Sequence, residues 1–215
     1  MTLTRRSLLL ISTVFAALAV TGAWAETTAP ADATAPVVIQ NFGIGDTAAK
    51  VKILEYLSFT CPHCQRFHAD IYPKLKADYI DTGKVRLEYR EVYFDQYGLF
   101  GALVARCGGE MRYMGITDLL FDKQRDWAGS DDVNVVVSEL KKIGRTAGMT
   151  DDQVDVCLKD QQVAEALVAH YQANIGADYP NDSFQGTPSF IINGTQHANM
   201  SYEELQKILD AELAK

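Results

Sequence analysis

The chain has 215 residues, with 28 acidic and 20 basic side chains, a net charge of −8 and four cysteines. A surface this acidic offers no electrostatic footprint for nucleic acid or anionic lipid, so neither is an expected partner. Hydrophobic residues make up 47%, enough for one substantial core or a core with an inserted subdomain.

The first segment, MTLTRRSLLLISTVFAALAVTGAWA, has a basic head (Arg5, Arg6), an apolar run from Leu8 to about Val20 and a small-residue end, Ala23-Trp24-Ala25. This is the layout of a cleavable export signal over residues 1–25, cut after about Ala25. The apolar run is short for a membrane anchor. The adjacent arginines faintly resemble a twin-arginine signal, but the ordinary export route is the expectation. Residues 26–41 begin ETTAPADATAP, small, polar and proline-rich, and read as a flexible tether.

VKILEYLSF (51–59) reads as a largely buried strand, with Lys52 and Glu55 as its polar positions. CPHCQRFHADIYPKLKADYIDTG then changes to a helical period, with Pro73 expected to kink the helix and Asp81-Thr82-Gly83 to stop it. KVRLEYREVYF (84–94) reads as a second strand, which makes a right-handed βαβ unit with parallel strands. From Tyr97 to about Tyr179 the pattern is helical throughout, with a capping box at Thr150–Gln153 opening the helix that holds Cys157. TPSFIINGTQHANM returns to strand character around an Asn193-Gly194 hairpin turn. A last amphipathic helix opens on a second capping box, Ser201 and Glu204. The expected parts are thus 42–96 (βαβ), 97–180 (inserted and all-helical) and 181–215 (ββα).

Four cysteines allow three pairings. Cys61 and Cys64 lie one helical turn apart while Cys107 and Cys157 are isolated, so the economical pairing is Cys61–Cys64 with Cys107–Cys157. The close pair suits a zinc half-site, a structural crosslink or a reactive dithiol. Cys61, Cys64 and His68 supply three zinc ligands, but Cys107 and Cys157 form no second close pair, and no metal is expected. A crosslink closing so small a loop gains little entropy. A reactive dithiol remains. Pro62 takes the first helical position, which makes Cys61 the N-cap. The amides of His63 and Cys64, the helix dipole and a protonated His63 all favour a Cys61 thiolate, while Cys64 falls on the apolar face. A low-pKa Cys61 is a good leaving group, and stabilising its thiolate makes the couple oxidising.

With strand-SFTCPHC-helix and the distant GTPSFIING, the chain resembles the DsbA family of exported thiol:disulfide oxidoreductases within the thioredoxin superfamily. The likeness runs from about Phe42 to the C-terminus. It implies an α/β thioredoxin fold (βαβ then ββα) with an inserted all-helical subdomain, and no cofactor. It also implies a periplasmic monomer that oxidises reduced or unfolded exported polypeptides and is reoxidised by a membrane-bound, quinone-linked DsbB-like partner. Carried over residue by residue, Cys61 is the nucleophile-facing cysteine, Cys64 the resolving one, and Pro62-His63 the dipeptide that tunes the couple. Thr187-Pro188 resembles the cis-proline loop that binds extended substrate, and Glu55 stands where the family has a buried acid tuning the site. By its position in the strand alone, Glu55 reads as exposed. Tyr89 takes the place of a family lysine near that acid. Cys107 and Cys157 are extra to the minimal family pattern and read as a structural disulfide.

Among other residues, His68 and His197 read as surface or packing groups, and Trp127 as core. Phe59, Phe67 and Phe184 are expected to border a shallow apolar groove for unfolded peptide. The competing functions are a disulfide reductase or isomerase and a non-enzymatic thiol/His metal-binding protein.

Overall fold

The computed structural model describes residues 36–215, so the expected signal (1–25) and the first part of the expected tether lie outside the described residues. The rest of the tether is not free. Ile39 packs on the core, Gln40 O accepts from Arg106 Nη1 at 2.9 Å, and Asn41 Oδ1 meets His170 Nε2 at 2.8 Å.

Residues 36–215 form one compact unit around a mixed five-stranded sheet. Its strands are β1 (Gly43–Ile44), β2 (Val51–Leu57), β3 (Val85–Glu91), β4 (Ser189–Ile192) and β5 (Thr195–His197), in the order β1-β3-β2-β4-β5. β2 and β3 are parallel, as the βαβ pattern demands, with Ile53 opposite Leu87 and Glu55 opposite Tyr89. β4 runs antiparallel to β2, and β5 antiparallel to β4. The β4–β5 turn holds Asn193 at φ 44° and Gly194 at φ 86°, the positive angles that a two-residue hairpin of this hand requires. β1 was not foreseen: two residues are too few to show a period. Its Gly43 lies so close to β3 that a Cβ would come within 2.3 Å of Leu87 O.

The crossover from β2 to β3 is α1 (Pro62–Asp70), then α2 (Tyr72–Leu75), then one π-helical turn at Lys76–Ile80. The expected kink at Pro73 is a break at Ile71, just before it. Pro73 thereby falls in the first turn of α2, where its missing N–H leaves no bond unmade. This face of the crossover buries Phe67, Leu75, Tyr79 and Ile80.

The helical part comprises α3 (Gln96–Cys107), α4 (Glu110–Asp122), α5 (Gln124–Trp127), α6 (Val133–Thr146), α7 (Asp151–Leu158) and α8 (Gln161–Asp178). Both capping boxes form, at Thr150–Gln153 opening α7 and at Ser201–Glu204 opening α9 (Tyr202–Ala214). Although inserted in sequence, this part shares one continuous core with the sheet. Phe59, Phe121, Trp127, Leu140 and Val154 belong to the same cluster as Ile53 and Leu87. At Gly101 in α3 the two parts touch so closely that a Cβ would lie 3.0 Å from the Phe59 side chain and 3.2 Å from Trp127. The end of β3 is tied in by Glu91, a buried carboxylate that accepts from Arg106 (2.8 Å), Tyr93 (2.8 Å) and Tyr113 (2.6 Å). So fully partnered a charge avoids the desolvation cost of an unpaired one. Cys107 on α3 and Cys157 on α7 are disulfide-bonded, with Cα atoms 5.8 Å apart.

Candidate active site

β2 ends at Leu57, and Ser58–Thr60 turn the chain into α1 at the carboxyl end of the strand. That turn is pinned from several sides. Cys61 N donates to Ser58 O at 3.1 Å, and Thr60 Oγ1 donates to Asp95 Oδ2 at 2.6 Å. Asp95 also caps α3 by accepting from Gly98 N. Buried Gln124 on α5 donates to both Phe59 O (2.8 Å) and Cys61 O (3.0 Å). The helical part therefore holds the loop that presents the dithiol. Asp95 carries a sequence signal, a cap residue before a helix. Gln124 carries none, because only the fold brings it 63 residues back along the chain.

Cys61 stands at the N-cap with Pro62 in the first turn, and Cys64 lies one turn into α1. Both are free thiols here: Cys61 is half-buried and Cys64 completely buried. The expected cap bond to the helix amides is not made by the protonated thiol. Its Sγ–H instead donates to Thr187 O at 3.3 Å. As a thiolate, Cys61 is stabilised first by the Cys64 thiol, then by Thr187, and then by the backbone amides of Cys64 and His63. Together these outweigh burial and pull its pKa from 9.0 down to about 5. The Thr187 hydroxyl is buried without a hydrogen-bond partner among the described residues, and is therefore free to donate to that sulfur. Cys64 is pushed strongly the other way, chiefly by burial, then by its bond to Cys61 and the Cys61 charge, with Glu55 adding to the rise.

His63 is exposed and its Nδ1 is 2.7 Å from Arg66 Nη2. With the guanidinium as donor, Nδ1 is an unprotonated acceptor, and the fixed positive charge nearest this face of α1 belongs to Arg66. The Thr187–Pro188 bond is cis and lies beside Cys61. A surface depression of about 390 Å³ runs from His63 along 185–189 to Ala198 and Asn199. Phe59 and Phe67, expected to border a groove, are core residues instead. Phe184 is half-buried against Tyr56 and Tyr179. Glu55 is fully buried, not exposed as its place in the strand reads, because both faces of β2 are covered at this point. Tyr89 is its neighbour on β3. His68 is buried, its Nε2 3.5 Å from Glu55 Oε1, while His197 is half-buried on β5. Trp127 is core, as expected. Among the described residues no cluster of three or more His, Cys, Asp or Glu side chains has a metal-holding arrangement.

Comparison with known proteins agrees with this geometry. A family profile described as thioredoxin matches residues 38–211. The chain is 33% identical over 168 residues to a putative protein-disulfide oxidoreductase of Rickettsia bellii, covering 78% of this chain and 62% of that one. It spans little more than three fifths of the rickettsial relatives it matches. It is 25% identical over 177 residues to disulfide bond formation protein D of Bacillus subtilis, covering 79% and 76% respectively. Among solved structures, α-DsbA1 of Wolbachia pipientis superposes with a TM-score of 0.73 at 23% identity, over 83% of this chain and 94% of that one. A protein-disulfide isomerase of Novosphingobium aromaticivorans gives 0.71 at 24%, over 81% and 98%. The chain belongs to the thioredoxin family and has the fold of its DsbA proteins.

Proposed function

We propose that the chain is a thiol:disulfide oxidoreductase that donates the Cys61–Cys64 disulfide to newly exported polypeptides. The observation that carries this reading is the asymmetry of the pair: an accessible sulfur whose pKa is drawn down to about 5, bonded in the oxidised state to one that is wholly buried. A substrate thiolate attacks Cys61 Sγ, the Cys61–Cys64 bond breaks, and its electron pair leaves on Cys64, which takes up a proton. The substrate's second thiolate then attacks its own sulfur in the mixed disulfide and expels the Cys61 thiolate. Two electrons pass from substrate dithiol to enzyme. Because the expelled thiolate is stable, the reduced enzyme is favoured and the couple is oxidising.

Thr187 and Pro188, beside Cys61, offer the edge along which an extended peptide lies. Pro62 and His63 fill the turn between the sulfurs and help set the couple, and Glu55 tunes Cys64 from beneath. Cys107–Cys157 braces α3 against α7. Reoxidation falls to a membrane-bound, quinone-linked DsbB-like partner, in a periplasmic setting, with the protein acting as a monomer.

The test is to mix oxidised protein with an equimolar reduced two-cysteine peptide and follow both by mass. The reading predicts oxidised peptide, reduced protein and no transfer by Cys61→Ser. A peptide left reduced at equilibrium contradicts it.

A further inference from the structure

Two exposed side chains on the first turns of α1, His63 and Arg66, meet on its solvent side, with Arg66 Nη2 2.7 Å from His63 Nδ1. A guanidinium only donates, so Nδ1 presents its lone pair and the proton of the ring sits on Nε2. Among the described residues no carboxylate forms an ion pair with Arg66, so none competes with the imidazole for its donors. An exposed imidazole is otherwise free to turn about both its side-chain torsions. The bond to Arg66 restricts it to one orientation and one tautomer.

The nitrogen left over has a surface to serve. His63 borders the depression of about 390 Å³ beside Cys61, whose remaining wall is residues 185–189 with Ala198 and Asn199. None of those side chains is charged, and His63 is the one residue α1 contributes. An uncharged rim next to the Thr187–Pro188 edge suits an extended polypeptide recognised through its main chain, whose carbonyls need donors. With Nδ1 taken by Arg66, the donor the ring has to offer is Nε2–H. Cys61 does not need that ring as a charge. Its thiolate is stabilised by the Cys64 thiol, by Thr187 and by the amides of Cys64 and His63.

We infer that Arg66 is a positioning residue for the exchange reaction, holding His63 so that its Nε2–H donates to a main-chain carbonyl of the polypeptide joined to Cys61 in the mixed disulfide. This rests on the disulfide-exchange reading above. Because Arg66 sets the ring before the polypeptide arrives, less rotational freedom is lost on binding than for a free imidazole.

The experiment compares two reductants of the oxidised full-length protein at neutral pH, a reduced two-cysteine peptide and dithiothreitol. Each attacks Cys61 Sγ through a thiolate, expels Cys64, and then closes its own disulfide by expelling Cys61, so two electrons pass to the protein in both reactions. Only the peptide has main-chain carbonyls. The readout is the ratio of the peptide rate constant to the dithiothreitol rate constant, in which a change in the reactivity of Cys61 itself cancels. Arg66→Met and His63→Phe are each expected to lower that ratio ~3–10-fold, the worth of one neutral hydrogen bond. Both side chains are exposed, so neither variant disturbs the core. The double variant is expected to fall no further than His63→Phe alone, because Arg66 acts through His63. A ratio within twofold of the parent in Arg66→Met overturns the inference. So does a double variant that loses the product of the two single losses, which would put Arg66 on the peptide independently of His63. The nitrogen-15 spectrum of the His63 ring gives a second reading: the parent is expected to carry its proton on Nε2, and a proton on Nδ1 overturns the inference. A parent whose disulfide is reduced by dithiothreitol but never by the peptide refutes the exchange reading itself, a different outcome.

Discussion

Replacing Cys64 by alanine separates the two sources of Cys61 acidity. By position alone, the helix start accounts for the thiolate. In the structure the Cys64 thiol is the foremost cause, ahead of Thr187 and the two amides. A hydrogen bond to a charged group is worth ~1.5–3 kcal/mol net. At 1.36 kcal/mol per pKa unit, losing that donor raises Cys61 by ~1–2 units, from about 5 to ~6–7. Cys64→Ser keeps a donor at the same site and is expected to stay near the parent value. The assay is the rate of iodoacetamide alkylation of Cys61 against pH, checked by thiolate absorbance. A Cys64→Ala midpoint still near 5 would show that the helix amides and Thr187 suffice, and would refute this ranking. A parent midpoint near 9.0 would refute the acidic thiolate altogether.

Three further outcomes are expected. Folding lowers the Cys61 thiol from 9.0 to about 5, so its thiolate stabilises the folded reduced protein fully above pH 9, and that contribution is lost as pH falls through 5. At a fixed ratio of glutathione species, the ratio of reduced to oxidised protein should therefore rise ~10-fold per pH unit between those limits and flatten below about 5, which alkylation at several pH values reads directly. Removing the Cys107–Cys157 bond, which closes a separation of 50 residues, should cost ~2–4 kcal/mol in urea unfolding while leaving the first exchange step intact. Replacing the buried pair together, Glu55→Leu with His68→Phe, should leave stability unchanged or raise it by ~1–4 kcal/mol, because two poorly satisfied ionisable groups leave the core. Urea unfolding of the double variant against the parent measures it, and a loss of stability would show that the pair is held for structural reasons.

Much of the fold was legible because its signals are local. The alternation in VKILEYL, proline at the start of α1, two capping boxes and Asn193-Gly194 each act within a few residues, and each stands where the sequence puts it. The spacing of the four cysteines left three pairings open and made Cys107 with Cys157 only the economical one, and these two are the bonded pair. What stayed hidden depends on which residues the fold brings together. Glu55 reads as a solvent-facing position until the fold buries it and sets His68 of α1 3.5 Å from its carboxyl. His68 looks like a packing residue until the carboxylate beneath it is known. Gln124, holding two carbonyls of the active-site loop, has no local signature at all. The period of Phe59 and Phe67 marks them as apolar but does not say whether they face a groove or the core, and they face the core.

The central claim is that Cys61–Cys64 is poised to give its disulfide away. The measurement that bears on it most directly is the equilibrium of the pair with glutathione at neutral pH, followed by alkylation and mass. A couple driven by a stabilised Cys61 thiolate is more oxidising than glutathione, and a millimolar glutathione buffer kept mostly in the reduced form will leave most of the pair reduced. A pair that remains oxidised under excess reduced glutathione would contradict the account and make the protein a reductase in need of an electron supply.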